Sequence, residues 1–158
     1  MKIIDLDQSE YKKLHSKTYA LEKRRLQIEL LKLQEDVIKN QRKICIVFEG
    51  RDTAGKSSAI KFFSEYLRPK NFNYIQLGIP TKWESSHWFQ RWEKVLPKKG
   101  QITFLDRSWY TRAVTEPVMN YCTEQQYRKF MNTVNKWEQN HIKSGLELTK
   151  FYFSLSKD

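Results

Sequence analysis

The chain has 158 residues and a formal net charge of +11, with 29 Lys and Arg against 18 Asp and Glu. That length fits one domain with a real core, and the surplus of positive charge favours an anionic partner. Two cysteines, Cys45 and Cys122, make no disulfide framework, and three histidines without Cys/His spacing make no zinc site. No apolar run approaches the roughly 20 residues of a membrane-spanning helix, Met1 to Asp7 lacks a secretory apolar region, and the simplest location is the cytoplasm.

In chain order, residues from about 9 to 40 predict one long helix. Leu26, Leu30, Leu33 and Val37 recur at helical spacing and make an apolar face, widened by Ile28, Leu31 and Ile38. Asn40 is a plausible stop. Much of the basic surplus lies on this segment (Lys23, Arg24, Arg25, Lys32 and Lys39 among others), where a solvated helix face is the ordinary reading.

An apolar, β-branched run, Ile44 to Phe48, predicts the first strand. It leads directly into Gly50-Arg51-Asp52-Thr53-Ala54-Gly55-Lys56-Ser57, and a helix-forming stretch from Ser58 to Leu67 follows. Glycine, four residues, then Gly-Lys-Ser is the phosphate-binding loop pattern, here in the strand–loop–helix setting it requires. Its glycines let successive N–H groups converge on one anion, and the helix N-terminus adds its positive end. Lys56 supplies a mobile charge for the β- and γ-phosphates, and Ser57 a hydroxyl ligand for Mg²⁺. Pro69 closes this region.

Tyr74 to Leu77 predicts a short second strand, broken by Gly78 and Pro80. A helix over about Lys82 to Val95 follows; Thr81 and Glu84 have capping-box spacing and are assigned no chemistry. Ile102 to Leu105 predicts the third strand and ends in Asp106. After a phosphate loop, such an acid is a candidate to hold the metal. Two arginines follow it, Arg107 and Arg112, suited to neutralising phosphoryl oxygens. Thr123 and Gln126 open a last helix to about Lys143, Gly145 ends it, and Thr149 to Leu155 predicts a final strand. The five tryptophans read first as packing. Alternating strands and helices imply a parallel sheet covered on both faces, with ligands beyond the carboxyl ends of its strands. Gly50–Ser57 and Asp106–Tyr110 both fall on that rim. No repeat or linker divides the chain, so residues 1–158 read as a single domain.

The run Asp106-Arg107-Ser108-Trp109-Tyr110-Thr111-Arg112-Ala113, continued by Glu116-Pro117-Val118-Met119, resembles the family-2 polyphosphate kinases. The likeness extends to Phe48–Ser57, to Arg24–Leu30, to Pro80-Thr81 and to Gln90-Arg91-Trp92, and covers roughly Tyr19 to Ser156. It implies an α/β fold of the phosphate-loop NTPase type, similar to thymidylate kinase. It also implies Mg²⁺-dependent phosphoryl transfer between inorganic polyphosphate and a nucleotide (ADP or GDP, AMP or GMP). By the same resemblance, Asp52 is the loop's additional acid, near metal and attacking phosphate. Lys56 is the loop lysine, Asp106 the metal-binding acid, Arg107 and Arg112 phosphate-binding arginines, and Glu116 an acid near the lid. Asp52, Ser57 and Asp106 are thus the metal candidates, and Gly50, Arg51, Thr53, Ala54, Gly55, Lys56 and Ser57 the phosphate cradle. Ser57-Ser58 departs from the glycines found in many members. The family normally continues past the strand that Phe151–Ser156 resembles, with a basic helical segment and further helices. For the 158-residue chain this implies weak or absent turnover and a surface that associates with another copy. The rival readings are an ATP-dependent nucleotide or small-molecule kinase, and a non-catalytic protein that holds polyphosphate or nucleic acid by charge. The Asp-Arg-Ser-Trp-Tyr run and the charge favour polyphosphate over nucleic acid.

Overall fold

The computed structural model describes residues 14–154. Helix α1 (Ser16–Lys39) leads into strand β1 (Lys43–Gly50), and the phosphate loop joins β1 to helix α2 (Lys56–Ser64). Strand β2 (Phe72–Ile75), helices α3 (Lys82–Ser86) and α4 (Trp88–Glu93) and strand β3 (Gln101–Asp106) follow. After β3 come a 3₁₀ turn (Trp109–Arg112), a single helical turn α5 (Thr115–Val118), helix α6 (Glu124–Lys143) and strand β4 (Leu146–Phe153). The part of the expected N-terminal helix over 9–13 and the strand end at Leu155 lie outside the described residues.

The four strands of the described residues pair in parallel, in the order β2-β3-β1-β4. Parallel strands with both faces covered read as continuous apolar runs, and the side chains of β1 alternate between two cores. Ile44, Ile46 and Phe48 face Val37 of α1 and Ile60 of α2, with Ile102 and Phe104 of β3. Cys45 and Val47 face Trp88 and Trp92 of α4, Trp109, and Phe130 and Val134 of α6. The strand that carries the phosphate loop is thus central and anchored on both sides. Its C-terminus has one fixed position relative to that of β3, with Phe48 opposite Asp106.

Several elements differ from their sequence expectations. The helix expected over Lys82 to Val95 is two short ones, because His87 (φ −115°, ψ 52°) leaves the helical region between them. The capping box of Thr81 and Glu84 forms as read, as does that of Thr123 and Gln126. On α1 most of the leucine stripe packs as read, with Val37 buried and Leu30, Leu31 and Leu33 against the core of Ile44, Ile46 and Phe48. Its members Leu26 and Ile28 are exposed, and two polar residues the pattern did not single out, Gln27 and Gln34, are buried. The glutamines win those positions because the chain end of α2 needs partners. Gln34 donates to the Arg68 carbonyl and accepts from the Arg68 N–H (3.1 and 2.8 Å), and Gln27 donates to Glu65 (2.8 Å). Strand β4 begins at Leu146, just after Gly145 (φ +87°) closes α6, earlier than the aromatic run suggested.

Candidate active site

The two loops at the carboxyl ends of β1 and β3 face one cleft of about 230 Å³. Asp52, Thr53, Gly55, Lys56, Ser57, Ser58, Gln76, Asp106 and Arg107 line it. Nucleotide-sized sites occupy about 300–1,000 Å³, so this cleft accounts for phosphate groups rather than a whole nucleotide.

The loop has the backbone its sequence requires. Gly50 sits at φ +135°, where a Cβ would overlap the Phe153 carbonyl oxygen of β4, so no other residue fits. Gly55 (φ +92°) makes the last turn before α2, and Thr53 (φ +65°) is left-handed without being glycine. Such conformations cost on the order of 1 kcal/mol or more and persist where the surroundings impose them. Lys56 is buried, and its ammonium donates to the carbonyls of Gly50 and Arg51 at 3.0 and 2.7 Å. The lysine thereby braces the loop that surrounds it. Asp52 stands at the rim with its carboxylate largely in solvent.

Across the cleft, Asp106 is buried (2 % exposed). It accepts from the Ser57 hydroxyl at 2.5 Å and from the Tyr74 hydroxyl at 3.1 Å, all through Oδ2. Burial, together with that bond to the carboxylate, pushes the Tyr74 phenol up, so it stays a donor. Arg107, at φ +66°, donates to the Thr115 hydroxyl (3.0 Å) and pairs with Asp52. The side chain of Ser108 turns away from the cleft and donates to Glu49 at 2.5 Å. Burial pushes the Glu49 carboxyl up, against the pull of that bond and of nearby Arg107 and Lys56.

The structure therefore brings together Asp52, Lys56, Ser57, Asp106 and Arg107, with Thr53 and Gly55 beside them, and it leaves Arg112 and Glu116 elsewhere. Neither lines the cleft. They form a buried pair with Nε and Oε2 at 2.8 Å, in charge contact but not aligned as a hydrogen bond. The Arg112 guanidinium lies 4.1 Å from the Trp88 ring centre and donates to Ser85. Burial pulls Arg112 down and pushes Glu116 up, and each partner's charge opposes the other's shift. Gln76 and Tyr74 were missed by sequence reasoning. Their position at the carboxyl end of β2, on the same rim, is the signal that finds them.

Mg²⁺ fits this donor set. It favours hard oxygen ligands and usually takes only one or two from protein, completing its shell with water and substrate phosphates. The Ser57 hydroxyl and Asp106 carboxylate already converge, with Asp52 on the opposite lip. Among the described residues no cluster of three or more His, Cys, Asp or Glu forms a metal cage, and no helix is long and apolar enough to cross a membrane.

Comparison with known proteins agrees with this geometry. The family model described as Polyphosphate kinase 2 (PPK2) matches residues 13–158. A GDP-polyphosphate phosphotransferase of Mycolicibacterium smegmatis is 43% identical over 146 residues, covering 92% of this chain and 52% of its own length. An ADP-polyphosphate phosphotransferase of Pseudomonas aeruginosa is 42% identical over 144 residues, 90% of this chain and 47% of its own. The chain thus spans about half the length of these relatives. The solved structure of a polyphosphate kinase 2 from Arthrobacter aurescens superposes with a TM-score of 0.82 at 22% identity, over 92% of this chain and 53% of that one. With the family model matched along almost all of its length and the phosphate loop and Asp106 strand joined in one cleft, the chain belongs to the polyphosphate kinase 2 family.

Proposed function

We propose that the chain carries the phosphoryl-transfer centre of a polyphosphate:nucleotide phosphotransferase, working between inorganic polyphosphate and a nucleoside mono- or diphosphate. The observation that carries this reading is the meeting of Ser57 and Asp106 at 2.5 Å between two loops that also present Lys56 and Arg107. In the synthetic direction, an oxygen of the nucleotide's terminal phosphate attacks the end phosphorus of polyphosphate. The bond from that phosphorus to the chain's bridging oxygen breaks, the nucleotide gains one phosphate and polyphosphate leaves one unit shorter. The attacking group is a phosphate, largely ionised at neutral pH since its second pKa is about 6, so no general base is needed. This suits a cleft with no lining histidine.

The protein's work is then positioning and charge neutralisation. Lys56 and the N–H groups of Gly50–Ser57 hold the transferred phosphoryl, and Arg107 neutralises it from the other side. Ser57 and Asp106 would hold Mg²⁺, and Asp52, paired with Arg107, stands on the opposite lip of the same cleft. The chemistry such an ion would supply is partial neutralisation of the phosphoryl charge. Arg112 and Glu116 act in this proposal through the turn they anchor. The same reading places the protein in the cytoplasm, as one domain that associates with other copies.

The test is nucleotide formation by the 158-residue chain with polyphosphate plus ADP or GDP, set beside ATP plus a nucleoside monophosphate. Polyphosphate-dependent product, formed at a low rate and lost on chelation of divalent metal, is expected. Turnover with ATP as the sole effective donor would identify an ordinary nucleotide kinase instead.

A further inference from the structure

Arg107 holds a left-handed backbone that a non-glycine residue rarely adopts, and its neighbours must impose it. On the cleft side its N–H donates to the Phe48 carbonyl at 2.9 Å. Beside the Arg107 contacts to Thr115 and Asp52, a further constraint comes from behind. Trp109 is fully buried, and its indole N–H donates to Glu138 Oε1 at 2.8 Å. The Tyr110 hydroxyl donates to the same oxygen at 2.7 Å. Glu138 belongs to α6, and Lys150 of β4 closes the group. Its ammonium reaches both Glu138 oxygens (2.8 and 2.6 Å) and the Tyr110 oxygen (2.7 Å).

None of these four residues lines the cleft. A buried ion pair is weak evidence of a stabilising role, because apolar residues of the same volume often serve as well. An apolar filler cannot, however, fix the rotation of an indole and a phenol at once. A carboxylate that accepts from both does so, and the two side chains it holds follow Arg107 and Ser108 directly in the chain. We infer that Glu138, held by Lys150, is a positioning residue. It locks the Trp109–Tyr110 turn and thereby keeps the Arg107 guanidinium facing the cleft. The turnover consequence rests on the proposed function; the structural one does not.

The test compares the parent chain with E138Q/K150M, which removes both charges so that neither is orphaned, and with the milder Tyr110→Phe. Hydrogen exchange at the Arg107 amide reads the turn without any ligand. It is expected to quicken about tenfold in E138Q/K150M and less in Tyr110→Phe, while α6 amides around Phe130 keep the parent rate. Binding of inorganic tripolyphosphate is expected to weaken about tenfold in the double variant, within the range of coupling between residues of one network. Adding Arg107→Ala to that variant should leave it no weaker than Arg107→Ala alone. Unchanged exchange at Arg107 in either variant overturns the inference, as does a loss of affinity that multiplies with that of Arg107→Ala. A parent chain that binds tripolyphosphate but forms no nucleotide counts against the proposed function and leaves the exchange result to decide this one. If E138Q/K150M does not fold, Tyr110→Phe carries the same comparison.

Discussion

Arg107 and Arg112 bracket one 3₁₀ turn, carry the same charge and looked alike as phosphate ligands, yet the fold treats them in opposite ways. The side chain of Arg107 is a quarter exposed, lines the cleft and meets a solvent-facing carboxylate. That of Arg112 is 2 % exposed, stacks on Trp88 and pairs with the equally buried Glu116. The turn between them rotates the chain so that one guanidinium leaves on the ligand side and the other enters the packing. An arginine beside a metal-binding acid is therefore not a ligand by proximity in sequence; the backbone between them decides.

The sharpest way to break this contrast is stability. Arg112→Met strands Glu116 as a buried carboxyl without its partner, and breaking such a pair is expected to cost about 3–5 kcal/mol. Arg107→Met, at a pair open to solvent, should stay within about 1 kcal/mol. Urea denaturation of both variants checks this, and similar losses would erase the distinction. Lys56→Ala probes the cleft side in the opposite sense. It should reduce phosphotransfer on the order of 10²–10³-fold while circular dichroism stays that of the parent.

A smaller effect concerns the two carboxyls that burial pushes up, Glu49 beside the cleft and Glu116 in the packing. A raised native value means that the folded state keeps its proton to higher pH than the unfolded chain. That contribution is complete below the ordinary carboxylate range and is lost as pH rises through the raised value. Glu49→Gln removes the dependence. Thermal melts from about pH 4 to 7 should then show the variant gaining on the parent as pH rises, with a gap that does not change with pH as the contrary result. Least in size is a difference in thiol reactivity. Burial pushes Cys45 up to about 12, whereas Cys122 is half-buried and raised by burial less strongly. Alkylation near pH 8 should mark Cys122 first and Cys45 only on unfolding, as mass spectrometry of the digested protein would show.

The contrast also marks what sequence could disclose. Spacing alone identifies the phosphate loop, because Gly50, Gly55, Lys56 and Ser57 act through a local backbone shape. Asp106 follows from an apolar strand that ends in an acid. Both capping boxes are local too, and both form where Thr81 and Thr123 place them. The buried glutamines of α1 were hidden, since Gln27 and Gln34 satisfy groups 38 and 34 residues away in the chain. Glu138 and Lys150 were hidden for the same reason. On a helix pattern Glu138 is one more polar residue, and only the tertiary fold sets it against Trp109 and Tyr110.

The contact between Gly50 and the Phe153 carbonyl has a consequence for how the protein is born. Strand β1, which carries the loop, finds its register partners far along the chain, Lys43 opposite Gln101 in β3 and opposite Leu146 in β4. Such non-local pairing is slow to form, and it leaves an apolar strand waiting while the ribosome works. One wall of the loop is the last described strand, so the anion cradle cannot take its shape until β4 has emerged and docked. A nascent chain that has gained the ability to hold phosphate has therefore also docked β4 on β1, and capture by an immobilised phosphate ligand would report the moment of that docking on the ribosome.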